Sequence, residues 1–143
     1  MDPRLKRLYW QLTALLLAAH FAGSGAALPA TLALNVVQVL HFSAVRRSAA
    51  AFDVQVRIAF LGLLVAGSCG PLWPIHLVQL VGVSAVLVAD YCLLARLLAL
   101  LPWNRDQPFS WRLVRTALLQ PPVPGSIQAR LAPMARAVHP RAS

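Results

Sequence analysis

Residues 8–45 read LYWQLTALLLAAHFAGSGAALPATLALNVVQVLHFSAV, 38 positions without an acidic or basic side chain other than histidine. A single α-helix of that length would run about 57 Å, nearly twice the roughly 30 Å of a bilayer's hydrocarbon core. The stretch therefore has to turn back on itself. Gly23-Ser24-Gly25 and Pro29 near its middle supply the turn. Glycine and serine end one helix, and proline is tolerated in the first turn of the next. The expectation is a helical hairpin with its tip near residues 23–29, fenced by Arg7 and Arg46.

Residues 58–95 repeat the layout, again over 38 positions, with Asp90 the one carboxylate between Arg57 and Arg96. Gly70-Pro71-Leu72-Trp73-Pro74 marks a second tip, with Trp73 suited to a membrane interface. The fences recur at a fixed interval, but two minimum-length hairpins would produce that spacing without a duplication. In the connection between them, Asp53 and Arg57 stand at i,i+4 and are expected to pair.

Neither tip carries a charge, whereas all 13 Lys and Arg fall at the two ends or in the central connection. The positive-inside rule turns that distribution into cytoplasmic N- and C-termini. The fold expected is an all-α integral membrane protein with four short transmembrane helices in two hairpins. The spans fall at about residues 8–23, 29–45, 54–70 and 75–101, inside a domain covering 1–105. Two readings compete with this one: a signal peptide cleaved near Ala26, and a re-entrant rather than spanning run, which is allowed only where protein buries it.

Composition agrees with lipid as the solvent. The chain is 59% hydrophobic and 12% charged, with a mean hydropathy of +0.66, against about 25% charged for a soluble domain. A net charge of +9 invites a nucleic-acid reading. However, the cations flank apolar segments or lie in the tail, and no basic groove with interleaved aromatics is present. The partners expected are the bilayer and another membrane protein or a second copy, not nucleic acid. The excess of Arg over Lys, with abundant Ala and Leu, points to a GC-rich bacterial genome and so to the bacterial inner (cytoplasmic) membrane. Cys69 and Cys92 form no CxxC, and the topology places them at opposite faces.

After residue 105 the character changes. Trp111, Leu113, Val114, Ala117 and Leu118 share one arc of a helical wheel, with Arg112, Arg115 and Thr116 on the other and Ser110 as a fair N-cap. Residues 106–120 thus read as an amphipathic helix at the cytoplasmic surface. Trp103, Arg105, Trp111, Arg112 and Arg115 would touch the membrane. Residues 121–143, with Pro121, Pro122, Pro124, Arg130, Arg136, His139 and Arg141, read as a flexible basic tail.

Polar residues inside the apolar runs are the functional candidates, because an ionised carboxylate there costs about 2.5–3.5 kcal/mol on insertion scales. Counting back from Arg96 and Arg46 at the helical rise puts Asp90 about 9 Å and His41 about 7.5 Å inward. His41, Asp90 and Tyr91 therefore form a candidate intramembrane pair with an adjacent phenol. His76, Gln79, Val83, Leu87, Asp90 and Leu94 share one stripe of the fourth run. Asn35 and Gln38 are expected to join helices by hydrogen bonds.

His20, His41 and His76 count to three different depths, which speaks against a haem held by two of them. His20, Cys69 and His76 are weak metal candidates without a spacing motif, so neither metal nor cofactor is expected. Gly62, Ala66 and Gly70 make a ridge of small residues, a helix-packing face. The chain has no Glu, four Asp and none of the G-x-S-x-G, H-E-x-x-H or P-loop patterns, so no catalysis is expected. The function expected is that of a membrane accessory, scaffold or assembly protein acting by helix packing. The alternative is a small redox or proton-handling protein (quinone, haem or metal) using His41, Asp90 and Tyr91.

Overall fold

Asp2 opens the first helix by accepting a hydrogen bond from the Arg4 amide at 2.8 Å, and Pro3 sits at the first helical position, where its missing N–H costs nothing. The computed structural model describes residues 2–105 and 108–121. These form six α-helices: α1 (Pro3–Phe21), α2 (Ala27–Arg46), α3 (Phe52–Gly67), α4 (Pro74–Ala89), α5 (Leu93–Ala99) and α6 (Trp111–Leu119). A 3-10 turn at Gly70–Leu72 precedes α4. No strand occurs among the described residues. The predicted tail beyond Pro121 lies outside them.

The chain divides into two units, residues 1–91 and 92–143. In the first, α1 adjoins α2 and α4, and α3 adjoins the same two, so the four helices close a ring in chain order. Each turns one stripe inward at the three- and four-residue spacing of a helix face. The inward residues are Thr13 and Leu17 on α1, and Thr31, Asn35, Gln38 and Phe42 on α2. Arg57, Phe60, Leu64 and Gly67 follow on α3, and His76, Gln79 and Val83 on α4. The outward faces are apolar: Leu15 is 67%, Leu40 64% and Val78 66% exposed. The exterior of this unit is thus unlike that of a water-soluble bundle, where a charged face looks outward, and its interior mixes apolar with polar side chains.

Two segments, Ala27–Arg46 and Gly70–Ala89, are long and apolar enough to cross a membrane. Helix α1 carries Arg4, Lys6 and Arg7 near its start, and α3 has 16 residues, about 24 Å. Two of the four expected spans therefore meet the requirement of length and composition.

The expected fourth span, 75–101, is not one helix. It ends at Ala89 because Asp90 adopts the left-handed conformation (φ 50°, ψ 27°). The Asp90 amide donates to Val86 O at 3.1 Å, the five-to-one bond of a left-handed helix ending, and the Tyr91 amide reaches back to Ala85 O at 3.3 Å. Aspartate tolerates this geometry better than most side chains. Asp90→Gly should hold or raise stability, and Asp90→Val should lower it by about 1–2 kcal/mol in thermal unfolding. A stabilising Asp90→Val would instead restore the buried-carboxylate reading.

In the second unit, the Cys92 thiol caps α5 by accepting from the Ala95 amide at 3.4 Å. Ser110 caps α6, as its position suggested, accepting from Leu113 N at 3.2 Å. Helices α5 and α6 pack on each other, and Arg96, 4% exposed, donates to Ala117 O at 2.6 Å. Arg96 is therefore an internal side chain closing the end of α6, not merely a fence beside an apolar run. Leu113 and Ala117 on the apolar arc of α6 are buried.

Candidate functional site

All four helices of the first unit contribute polar atoms to its interior, in tiers from one end to the other. At the basic end, Asp53 in the first turn of α3 receives Arg46 from the end of α2 (2.7 and 2.8 Å) and Lys6 from α1 (3.8 Å). Arg7 donates to Leu87 O near the end of α4 at 2.9 Å, offsetting the negative pole of that helix. The expected Asp53–Arg57 pair takes another form: Arg57 donates to the Asp53 backbone carbonyl at 3.0 Å. Its guanidinium lies 3.3 Å from the Phe42 ring centroid and 5.3 Å from that of Trp10. Buried at 3% exposure, Arg57 is a stacked core residue and not an interfacial anchor.

One tier inward, the Tyr9 hydroxyl and His41 Nδ1 are hydrogen-bonded at 2.7 Å. The sequence reading paired His41 with Asp90 and Tyr91. That pairing fails, because α2 and α4 face each other diagonally across the ring and Asp90 is exposed at the end of its helix. The depth of Asp90 was overcounted by treating residues 90–96 as helix. Tyr91 is half-buried. Tyr9, the partner His41 does have, was missed because it lies two residues past Arg7, where a tyrosine reads as an interfacial anchor.

The middle tier holds Thr13, Thr31, Asn35 and Gln38, all fully buried. Gln38 Nε2 donates to Thr13 Oγ1 at 3.0 Å across α1 and α2, the interhelical bond expected of it. Asn35 instead donates to Thr31 O within α2 at 2.9 Å. The amide oxygens of Asn35 and Gln38 are buried with no protein donor.

At the far end, His20 on α1 and His76 on α4 come together, with ring centroids 5.6 Å apart and planes at 86°. Their expected difference in depth disappears once α4 is counted from its true end at Ala89. Both then lie about 19–20 Å from the basic end. Gln79 Nε2 donates to Phe60 O at 2.9 Å, and its Oε1 faces His76 Nδ1 at 3.4 Å. The stripe of His76, Gln79 and Val83 is buried as expected. Its continuation to Asp90 and Leu94 ends with the helix.

The ring of His76 occupies the space a Cβ would need at Gly67, within 2.7–3.1 Å of three ring atoms. Gly67, not the Gly62–Ala66–Gly70 ridge, is therefore where α3 admits α4. Gly62 and Gly70 are exposed and an added Cβ there would meet nothing within 4 Å. Cys69 is exposed, and its thiol points to Val65 O at 3.8 Å. Among the described residues no group of three or more His, Cys, Asp or Glu could hold a metal.

In the second unit, Trp103 and Trp111 are 71% and 81% exposed, and Arg112 and Arg115 are exposed as well. The Arg105 guanidinium lies 5.5 Å from the Phe109 ring centroid. No protein-family model, curated protein or solved structure matches the chain.

Proposed function

We propose that this chain is a small multi-pass protein of a bacterial inner membrane that works by packing against a membrane partner and performs no catalysis of its own. The observation that carries the reading is the apolar exterior of the four-helix unit around a partly polar interior. Thr13, Thr31, Asn35, Gln38, Arg57, His76 and Gln79 are buried among Leu17, Phe42, Phe60, Leu64 and Val83, while other large aliphatic side chains face out. Lipid is the solvent that rewards that arrangement. Helices α2 and α4 cross the bilayer, and α1 and α3, packed antiparallel beside them, cross with them as two hairpins. The basic end is cytoplasmic by the positive-inside rule, and with it both termini. Trp103, Trp111, Arg112 and Arg115 then rest on the cytoplasmic leaflet.

The packing face is the outward ridge of Gly62 and Ala66, continued by Gly70, where a second helix can approach closely. The partner is another membrane protein or a second copy. Gentle-detergent purification with crosslinking is the test: a stoichiometric partner or dimer is expected, and Gly62→Leu with Ala66→Leu should abolish it while the bundle stays folded. A solitary monomer would overturn the reading, and reporter tags at residues 50 and 143 found outside would overturn the topology.

The hydrogen bond of Tyr9 to His41 favours a second reading, a proton-handling protein. It shifts the candidate site from His41, Asp90 and Tyr91 to His41 and Tyr9, and Tyr9→Phe with unchanged proton flux in vesicles would remove it.

A further inference from the structure

We propose that His20 and His76 form a two-coordinate site for a cuprous ion at the end of the bundle away from the Arg and Lys cluster. The Phe60 backbone carbonyl can only accept a hydrogen bond, so the group of Gln79 that meets it at 2.9 Å is the NH2. Gln79 Oε1 is thereby turned toward His76 Nδ1, 3.4 Å away. An amide oxygen cannot donate, so the proton of the neutral ring sits on Nδ1. Nε2 is left as a bare lone pair. It is buried, with no hydrogen-bond partner, in a residue only 2% exposed. An acceptor buried without a partner is costly to a folded protein. An electrophile bound there would relieve that cost.

His20 supplies the second imidazole. The His20 ring stands 5.6 Å from that of His76, centroid to centroid, at nearly a right angle. Two imidazoles joined head-on through a metal with bonds of about 2 Å have centroids roughly 6 Å apart. His20 is half-buried and so gives the ion a way in from the surface. The His76 ring is held in place. Gly67 leaves no room for the His76 ring to tilt toward α3, and Gln79 fixes its rotation in the manner of an outer-shell partner.

Donor number decides the metal. Zinc takes four ligands in structural sites and three protein ligands in catalytic ones, and no group of three ligating side chains occurs among the described residues. Copper suits imidazole, and its monovalent ion is stable with two nitrogen donors in line. Binding places the ion on the Nε2 lone pair and displaces no proton from the Nδ1–H tautomer.

The experiment uses the purified full chain in detergent, titrated with copper held monovalent by ascorbate and delivered from a chromophoric chelator. One cuprous ion per chain is expected, with X-ray absorption showing two nitrogen neighbours and no sulfur. His20→Ala is the decisive variant because its ring is half-exposed and dispensable to packing. It should weaken binding by more than about 100-fold, beyond the effect of losing an outer-shell partner. His41→Ala and His139→Ala should leave binding unchanged. Absence of a one-to-one complex, retention of copper by His20→Ala, sulfur in the coordination shell, or equal uptake of zinc by the same pair would each overturn the proposal. These readouts do not depend on a membrane partner, so their failure would leave the packing proposal standing, and the reverse holds.

Discussion

Phe42→Ala is expected to cost about 3–5 kcal/mol, the largest loss from any single truncation in the four-helix unit. The ring is fully buried and touches three neighbours that differ in chemistry. Tyr9 and His41 lie 6.1 and 6.0 Å from it, centroid to centroid, and the Arg57 guanidinium lies 3.3 Å away. Alanine would leave a cavity and also remove the π face that Arg57 stacks on. A desolvated cation–π contact is worth about 2 kcal/mol, and a charge buried without it loses that compensation. Phe42→Leu separates the two effects. It keeps most of the volume but no π face, so a loss near 2 kcal/mol is expected. Combining it with Arg57→Met in a double-mutant cycle should show coupling of comparable size. Unfolding in mixed micelles on a denaturing detergent gradient is the measurement. A Phe42→Ala loss below about 1 kcal/mol would mean that Arg57 is solvated and not stacked.

The position of Arg57 also shows where the sequence could be read and where it could not. Two apolar runs of 38 residues each had to fold back, and glycine and proline named the tips, so both hairpins were legible from chain length and turn chemistry. The inward stripe of His76, Gln79 and Val83 was legible from the 3.6-residue period. Charge was a poorer guide. Arginines flanking apolar runs read as interfacial anchors, yet Arg57 and Arg96 are both buried, the first on aromatic faces and the second on a helix-end carbonyl. A sequence does not show which flank has an aromatic or an open carbonyl waiting.

Asp90 misled in the opposite way. Embedded in an apolar run, it read as a buried carboxylate, whereas a short polar side chain in that place can also end a helix in the left-handed conformation. That single error set the depth of every residue counted from Arg96. It created the His41–Asp90 pair and hid the meeting of His20 with His76. The contact between α3 and α4 was hidden for a subtler reason. Gly62, Ala66 and Gly70 repeat at four-residue spacing, but so do Phe60, Leu64 and, one step short, Gly67, about 200° around the wheel at roughly 100° per residue. Spacing identifies a stripe. Which stripe faces inward is decided by the partner, here the imidazole of His76.

Gly67→Ala is expected to destabilise the first unit by about 1–3 kcal/mol, although alanine is the better helix former by about 1 kcal/mol. The intrinsic gain is overridden because the new methyl would lie 2.7 Å from His76 Cε1 and 2.9 Å from Nδ1. That ring has nowhere to go: it is buried, and Gln79 holds its Nδ1 edge while Phe60 O holds Gln79. Relief would require α3 and α4 to move apart or the ring to abandon its amide contact. The cause can be isolated by making the same change in a His76→Ala background. There the methyl meets no ring, the helix propensity of alanine is free to act, and Gly67→Ala should become neutral or stabilising. The reversal of sign between backgrounds is the quantity to measure, by unfolding in mixed micelles. Gly62→Ala serves as the comparison: its Cβ would meet nothing within 4 Å, so it should gain up to about 1 kcal/mol in either background. If Gly67→Ala were as harmless as Gly62→Ala with His76 present, the ring would not be seated against α3. The fixed orientation of Nε2, and the pairing of the two histidines built on it, would then be lost as well.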